Sequence, residues 1–99
     1  MYHITIIYNQ PTDTAAFDDY YSTKHVPLVD AISGVDAFSF DKCESLDGNP
    51  PAAYALARLT FESKDTALQA LSSPAGQTAA GDVANFATGG AMMLFSGDS

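Results

Sequence analysis

The sequence predicts an α+β fold of the ferredoxin-like, split βαβ type, with elements in the order β-α-β-β-α-β. Three observations support this prediction. Alternating β-branched and aromatic residues open the chain, apolar residues then recur at helical spacing, and a turn-rich segment separates two later strands. In this fold the antiparallel sheet carries its helices on one face. With 99 residues, the chain is expected to form a single domain over residues 1–99.

The first strand and helix are predicted from the amino-terminal third of the chain. Tyr2–Tyr8 is rich in β-branched and aromatic residues and is followed by the turn residues 9–11. Thr12 or Asp13 can cap the next helix, and Gly34 is expected to end it. One face of this helix collects the residues Phe17, Tyr21, His25, Leu28 or Val29, and Ile32.

The middle of the chain predicts a pair of strands. Residues Val35–Ser45 alternate between apolar and polar, and Leu46–Pro51 is dense in turn-forming residues. Ala53–Glu62 follows as a third strand, which we expect to pair with the second as a hairpin.

Two helical pieces and a last strand complete the order. Ser63 can cap a short helix, and Ser73 with Pro74 forms a typical start for a further helical piece that reaches about Phe86. The apolar stretch Ala91–Ser96 is the predicted last strand.

Charge excludes one class of partner. Twelve acidic residues face four basic ones, which gives a formal net charge of −8 and repels phosphate backbones. The basic residues are also scattered along the chain, so a nucleic-acid partner is not expected. They are Lys24, Lys42, Arg58 and Lys64.

The remaining bulk features indicate a cytoplasmic protein. Cys43 is the single cysteine, so no internal disulfide can form, which fits a reducing compartment. The amino terminus lacks the basic segment of a signal peptide, and no apolar run is long enough to cross a bilayer. No membrane partner is therefore expected.

The strands lack a clean polar face. Ala53–Glu62 carries apolar residues on both of its sides, and Ala91–Phe95 is apolar throughout. A soluble monomer rarely exposes a large apolar sheet face, and the chain has no further helices to cover it. We therefore expect a homodimer that packs through its sheet faces and forms a two-chain α/β barrel.

His25 is the first candidate for chemistry. It lies one helical turn after Tyr21, and Pro27 cannot donate a hydrogen bond to the Thr23 carbonyl, so the helix is expected to kink or end near His25. A histidine in the resulting space can act as a general acid or base. The alternative is a neutral core histidine bonded to a backbone group such as that carbonyl.

The other candidates would line a pocket between helices and sheet. Arg58 lies in an apolar strand and is either a pocket residue or part of an ion pair or dimer rim; Asp82 faces either the pocket or solvent. The aromatic candidates for the pocket wall are Tyr8, Phe17, Tyr20, Tyr21, Phe40 and Phe86. No phosphate loop, metal-binding cluster or nucleophile elbow is present in the sequence, so neither a metal nor an organic cofactor is expected.

Two sequence blocks resemble the EthD family, named for ethyl tert-butyl ether degradation. The first, FDDYYSTKHVPLV (Phe17–Val29), is similar to the family's helix-one signature, in which a histidine precedes a proline by two residues, here His25 and Pro27. The second is Ser73–Phe86, with its aspartate at Asp82. The order of elements matches the family across essentially the whole chain.

This resemblance implies a dimeric α/β barrel whose ligand pocket lies between sheet and helices, with His25 pointing into it. Relatives on this scaffold include cofactor-independent monooxygenases, isomerases, decarboxylases and haem-degrading enzymes. The resemblance favours a cofactor-independent oxidoreductase of the monooxygenase type that acts on a small hydrophobic, oxygenated compound in a catabolic or secondary-metabolite pathway. In this interpretation His25 moves a proton, and Tyr20 or Tyr21 positions the substrate.

Three other functions remain open on the sequence. An isomerase or decarboxylase would also begin by taking a proton beside a carbonyl. A non-catalytic accessory protein would use the same pocket to sequester a hydrophobic metabolite. A haem-binding protein would use His25 as an axial ligand.

Overall fold

The computed structural model describes residues 1–97. Its four strands are β1 (Tyr2–Tyr8), β2 (Ala37–Lys42), β3 (Ala55–Phe61) and β4 (Ala91–Gly97). Its helical elements are α1 (Thr14–Tyr20), a π-helical turn (Tyr21–His25), α2 (Val26–Asp30), α3 (Lys64–Ser72), α4 (Pro74–Asp82) and a 3-10 turn (Val83–Asn85). The predicted ferredoxin-like order is confirmed.

The sheet has the strand order β2-β3-β1-β4, and all neighbouring strands are antiparallel. Ile6 on the central strand β1 lies opposite Ala57 on β3 and Met93 on β4. Since residues directly opposite one another share a face, this register places all three side chains on the helix side of the sheet.

The core lies between this face and the helices. On the sheet, the buried apolar residues alternate along the strands as Tyr2, Ile4, Ile6, Tyr8, Ala55, Ala57, Leu59 and Phe61. The helices and the loops around them contribute Phe17, Tyr21, Val29, Ile32, Ala67, Ala70, Ala79 and Phe86. Aromatic rings fill much of the layer, and the rings of Tyr8 and Phe17 meet edge-on with centroids 5.4 Å apart.

Side chains cap the amino-terminal ends of three helices. The side chain of Asp13 accepts a hydrogen bond from the Ala16 N–H at 3.1 Å, as the predicted capping role requires. Ser63 caps α3 and Ser73 caps α4 in the same manner. Each cap satisfies a backbone donor that the helix itself leaves unpaired.

The predicted kink near His25 is a π-helical turn. The Val26 N–H bonds to the Tyr21 carbonyl, which lies five residues earlier. The hydroxyls of Ser22 and Thr23 donate to backbone carbonyls of the preceding turn, at 2.7 Å in the case of Thr23. Pro27, which has no N–H, follows at the start of α2. The helix therefore widens at this point and then continues.

The predicted end of this helix at Gly34 is wrong by several residues. The helix α2 ends at Asp30, where the Ile32 N–H bonds to the Val29 carbonyl and tightens the last turn. Gly34 lies in the loop that follows, with a φ of 89° that favours glycine.

The opposite face of the sheet carries no helix and mixes apolar with polar side chains. Leu56 and Arg58 of β3 are exposed there, beside Ile7 and Thr5 of β1. The edge strand β4 is exposed along its length on both faces, including the apolar residues Met92, Met93, Leu94 and Phe95. Within residues 1–97, no helix is both long and apolar enough to cross a membrane.

The close packing of α4 on α3 depends on Gly76. A Cβ at this position would lie 2.0 Å from the Ala70 carbonyl oxygen, whereas a Cβ at Gly81 of the same helix would meet nothing within 4 Å. We expect Gly76→Ala to lower the free energy of unfolding by about 1–3 kcal/mol. Gly81→Ala, the matched control, should raise it by about 0.5–1 kcal/mol because alanine is the better helix former.

Urea denaturation followed by circular dichroism measures both changes. Equal stability of the Gly76→Ala variant and the unmodified protein would show that α3 and α4 are not packed this closely.

Candidate functional site

His25 is buried and pairs with Asp82. Its side chain ends the π-helical turn with only 4% of its surface exposed. Its Nδ1 lies 3.0 Å from Oδ2 of Asp82, the last residue of α4, which is 8% exposed. Residues 57 positions apart in the sequence therefore form one polar pair inside an apolar core.

Two further side chains hold the Asp82 carboxylate. Its Oδ1 accepts hydrogen bonds from the Tyr20 hydroxyl at 2.7 Å and from the Asn85 amide at 3.0 Å. Burial by itself raises the pKa of Asp82, but the hydrogen bonds from Tyr20, Asn85 and His25 outweigh it and the pKa is lowered overall. The bond to Asp82 also raises the pKa of the Tyr20 hydroxyl. Asp82 is therefore an anion near neutral pH.

The carboxylate selects the tautomer of His25. An ionised carboxylate can only accept hydrogen bonds, so Nδ1 of the neutral ring carries the hydrogen and Nε2 keeps its lone pair. Within residues 1–97, Nε2 makes no hydrogen bond and is not among the fully enclosed polar atoms. The ring thus offers one unused basic nitrogen.

This ring borders a cavity of about 40 Å³ between the sheet and the helices. Most of the wall is apolar, and the polar side chains on it are those of Tyr8, Tyr21 and His25. The remaining lining residues are Ile4, Ile6, Val29, Ile32, Phe38, Ala57, Leu59, Leu71, Gly76, Ala79, Ala80, Val83 and Met93. A small, mostly apolar site with a few polar groups is typical of a ligand pocket.

The Tyr21 hydroxyl has an unmet hydrogen bond. It is fully enclosed and has no partner among the described residues. Leaving a buried polar group unpaired costs about 1–3 kcal/mol, so a ligand or water that accepts this hydrogen would be stabilised. Burial raises the pKa of Tyr21, and burial with the Asp82 charge raises that of Tyr8, so both phenols stay neutral.

The aromatic residues predicted for the pocket form one cluster around His25. The Tyr21 ring stacks on Phe40 with centroids 3.9 Å apart, and the His25 ring lies 4.7 Å from that of Phe86. Tyr8, Tyr21 and His25 line the cavity itself, whereas the other predicted aromatic residues, Phe17, Tyr20, Phe40 and Phe86, surround that lining. The cluster fixes the plane of the imidazole.

The prediction that Arg58 lines the pocket is wrong. Residues of β3 alternate between buried and exposed, and Arg58 falls on the exposed side, opposite Thr5 on β1 and Ser39 on β2. Asp82 lies behind His25 and does not border the cavity. Asn85 was not anticipated, although its position three residues after Asp82 suits a contact within one helical turn.

Within residues 1–97, no three His, Cys, Asp or Glu side chains come together in a group that could hold a metal ion. His25 and Asp82 form a pair without a third such side chain.

Comparison with known proteins gives the family to which the chain is similar. Residues 9–90 match the EthD domain. The chain is 65% identical over 95 residues to an uncharacterized 11.0 kDa protein in the thcB-thcC intergenic region of Rhodococcus erythropolis, with 96% of this chain and 92% of that protein covered.

The fold is shared with solved structures of other proteins, among them the following two. An EthD family protein from Bacillus halodurans C-125 superposes with a TM-score of 0.92 at 23% identity, covering 100% of this chain and 99% of that one. A dimeric ferredoxin-like protein of unknown function from Jannaschia sp. CCS1 gives a TM-score of 0.72 at 13% identity, covering 99% and 100%.

The lowered pKa of Asp82 predicts acid sensitivity. Asp82 is expected to bind a proton more readily in the unfolded chain than in the folded one, so its contribution to stability is complete well above pH 3.8, the ordinary value. It is lost as the pH falls through 3.8 and below. We therefore expect the difference in free energy of unfolding between the unmodified protein and Asp82→Asn to shrink between about pH 5 and pH 3.

Urea denaturation at a series of pH values gives this difference. Asp65→Asn serves as the control, because Asp65 is an exposed aspartate in the first turn of α3 with no such network among the described residues. A difference that stays constant down to pH 3 would contradict the lowered pKa of Asp82 in the folded protein.

Proposed function

The chain belongs to the EthD family, and we propose that it is an enzyme in which His25 removes a proton from a small, uncharged, oxygenated organic compound. The observation that carries the proposal is the buried His25–Asp82 pair: His25 borders an apolar cavity, and its Nε2 makes no hydrogen bond within the residues described. A histidine held by a carboxylate in this way is the usual arrangement of a general base.

Each polar group has a role in the proposed proton transfer. Nε2 of His25 takes the proton, and the Asp82 carboxylate stabilises the imidazolium that forms. The enclosed Tyr21 hydroxyl donates a hydrogen bond to the substrate oxygen on which negative charge develops. Tyr20 and Asn85 act through Asp82 as positioning residues, because their hydrogen bonds fix the orientation of its carboxylate.

The charges around the cavity favour an uncharged substrate. Among the residues described, no lysine or arginine lines the cavity. Arg58 lies on the other face of the sheet, and Lys42 forms an ion pair of 2.9 Å with Asp18 at the surface. A carboxylate or phosphate in the cavity would therefore lack a counter-charge and would lie close to the Asp82 anion.

The carbanion or enolate formed in this step can have several fates. The family resemblance favours reaction with dioxygen, as in a cofactor-independent monooxygenase. Isomerisation or decarboxylation requires the same base and the same hydrogen-bond donor. The site geometry supports the proton transfer common to all three, and the later steps depend on the substrate.

We propose that the enzyme is a homodimer in which two sheets pack face to face as an α/β barrel. The exposed apolar residues Leu56, Met92 and Leu94 support an interface on the helix-free face. The related Jannaschia protein is dimeric.

A non-catalytic accessory protein is the second candidate. Its support is that the tyrosines beside His25 have raised pKa values, so no second base lines the cavity among the residues described. Such a protein would bind the same uncharged compounds without changing them.

Exchange of solvent deuterium into uncharged ketones and lactones tests the proposal. We expect the protein to accelerate exchange at carbon atoms beside the carbonyl, as measured by proton NMR, and His25→Ala to reduce the rate by about 10²-fold or more. His3→Ala is the matched control because His3 lies on β1 facing away from the helices, with Nδ1 3.0 Å from the Thr60 hydroxyl. Its rate should equal that of the unmodified protein.

The two candidates give different outcomes in this experiment. Exchange that is unaffected by His25→Ala removes His25 from the mechanism. Stoichiometric binding of the compounds without any exchange favours the accessory protein.

A further inference from the structure

We propose that Met93 on β4 forms the movable wall at the mouth of the cavity and limits the size of the compounds that reach His25. The inference rests on the proposed function only in treating the cavity as a site for a small organic ligand. It assigns a specificity-determining role to a residue on a strand that takes no part in the His25–Asp82 pair.

Burial of the lining residues locates the mouth. Eleven of the sixteen residues around the cavity are buried, and Ala80 is exposed. The half-buried ones are Phe38, Leu71 and Val83. Met93 has 38% of its surface exposed. The cavity therefore reaches the surface where the end of α4 faces β4. Ala80 and Val83 flank Asp82 in the sequence, so this opening lies beside the catalytic pair.

The wall at Met93 is the least supported part of the cavity. β4 is an edge strand that pairs with β1 alone among the strands described, and it is exposed along its whole length. By contrast, Ile4, Ile6 and Ala57 line the cavity from the two central strands and are buried. Methionine is unbranched and adapts its shape readily, so its side chain can swing aside without movement of the sheet.

The size of the cavity requires such a movement. A volume of about 40 Å³ holds roughly three water molecules, which is less than a substituted six-membered ring requires. Displacing the Met93 side chain enlarges the cavity toward the surface and leaves His25 and Tyr21 in place. The length of side chain at position 93 would then set the largest ligand that fits.

The neighbouring methionine offers a matched control. Met92 is 56% exposed, lies opposite Ile7 on the helix-free face and does not border the cavity. Both methionines occupy the same strand and lose the same atoms on substitution by alanine. A difference in ligand size preference between the two variants therefore reflects the change in the cavity wall and not the loss of a methionine from β4.

Calorimetric titration with phenol, 4-ethylphenol and 4-butylphenol tests the role of Met93. We expect Met93→Ala to tighten binding of 4-butylphenol by about tenfold relative to phenol, since the methylene groups of the butyl chain are buried in the enlarged pocket. Met93→Phe should weaken 4-butylphenol binding by a similar factor. Met92→Ala should reproduce the size preference of the unmodified protein.

A second pair of variants tests the mouth from the helix side. Ala80→Leu should slow the association of 4-ethylphenol in stopped-flow measurements by about tenfold, whereas Ala84→Leu should not. Ala84 is also exposed but does not border the cavity. Together the two pairs keep the test valid if one variant folds poorly.

Three results would overturn the inference. They are an identical size preference in Met93→Ala and Met92→Ala, equal association rates in Ala80→Leu and Ala84→Leu, and no phenol binding by either the unmodified protein or Met93→Ala. Because these readouts measure binding, loss of the role proposed for His25 in deuterium exchange would leave the assignment of Met93 intact.

Discussion

The contact between His25 and Asp82 is the constraint on which the rest of the site depends. It joins the π-helical turn to the end of α4 inside the apolar layer, at a distance of 3.0 Å. A charged carboxylate is stable there because Tyr20, Asn85 and His25 all donate to it. Removal of one of these donors would leave the buried Asp82 charge short of a hydrogen bond. The His25–Asp82 pair therefore holds the two helical segments together, and it also sets the orientation of the imidazole.

The Tyr21 hydroxyl, unlike the Asp82 carboxylate, lacks a hydrogen-bond partner among the described residues. The network around Asp82 is satisfied, whereas this neighbouring donor is enclosed and unpaired within the described chain. Natural folds leave a buried hydrogen-bond donor unpaired mainly where a functional site requires it. Tyr21 and His25 border the same apolar cavity, the first with an unpaired donor and the second with an unpaired basic nitrogen.

The parts of the fold that depend on local sequence could be predicted. Caps at Asp13, Ser63 and Ser73 involve atoms three residues apart, and strand alternation is visible in the sequence itself. The His25–Asp82 pair spans 57 positions, and sequence spacing alone could not choose Asp82 over the Thr23 carbonyl as the partner of His25. Arg58 was misplaced because sequence alternation separates two faces of a strand without saying which one a cavity adjoins.

The π-helical turn also sets the phase of the helix around it. Phe17 and Val29 are both buried, yet residues twelve positions apart on a regular α-helix point about 120° away from each other. The wide turn absorbs one extra residue, which reduces this angle to about 20°. A deletion of one residue within Tyr21–His25 would restore a regular helix and leave the residues beyond it in the same phase, whereas a regular α-helix with all of these residues kept would rotate them by about 100°. The wide geometry of this segment is therefore as much a part of the site as the histidine it carries.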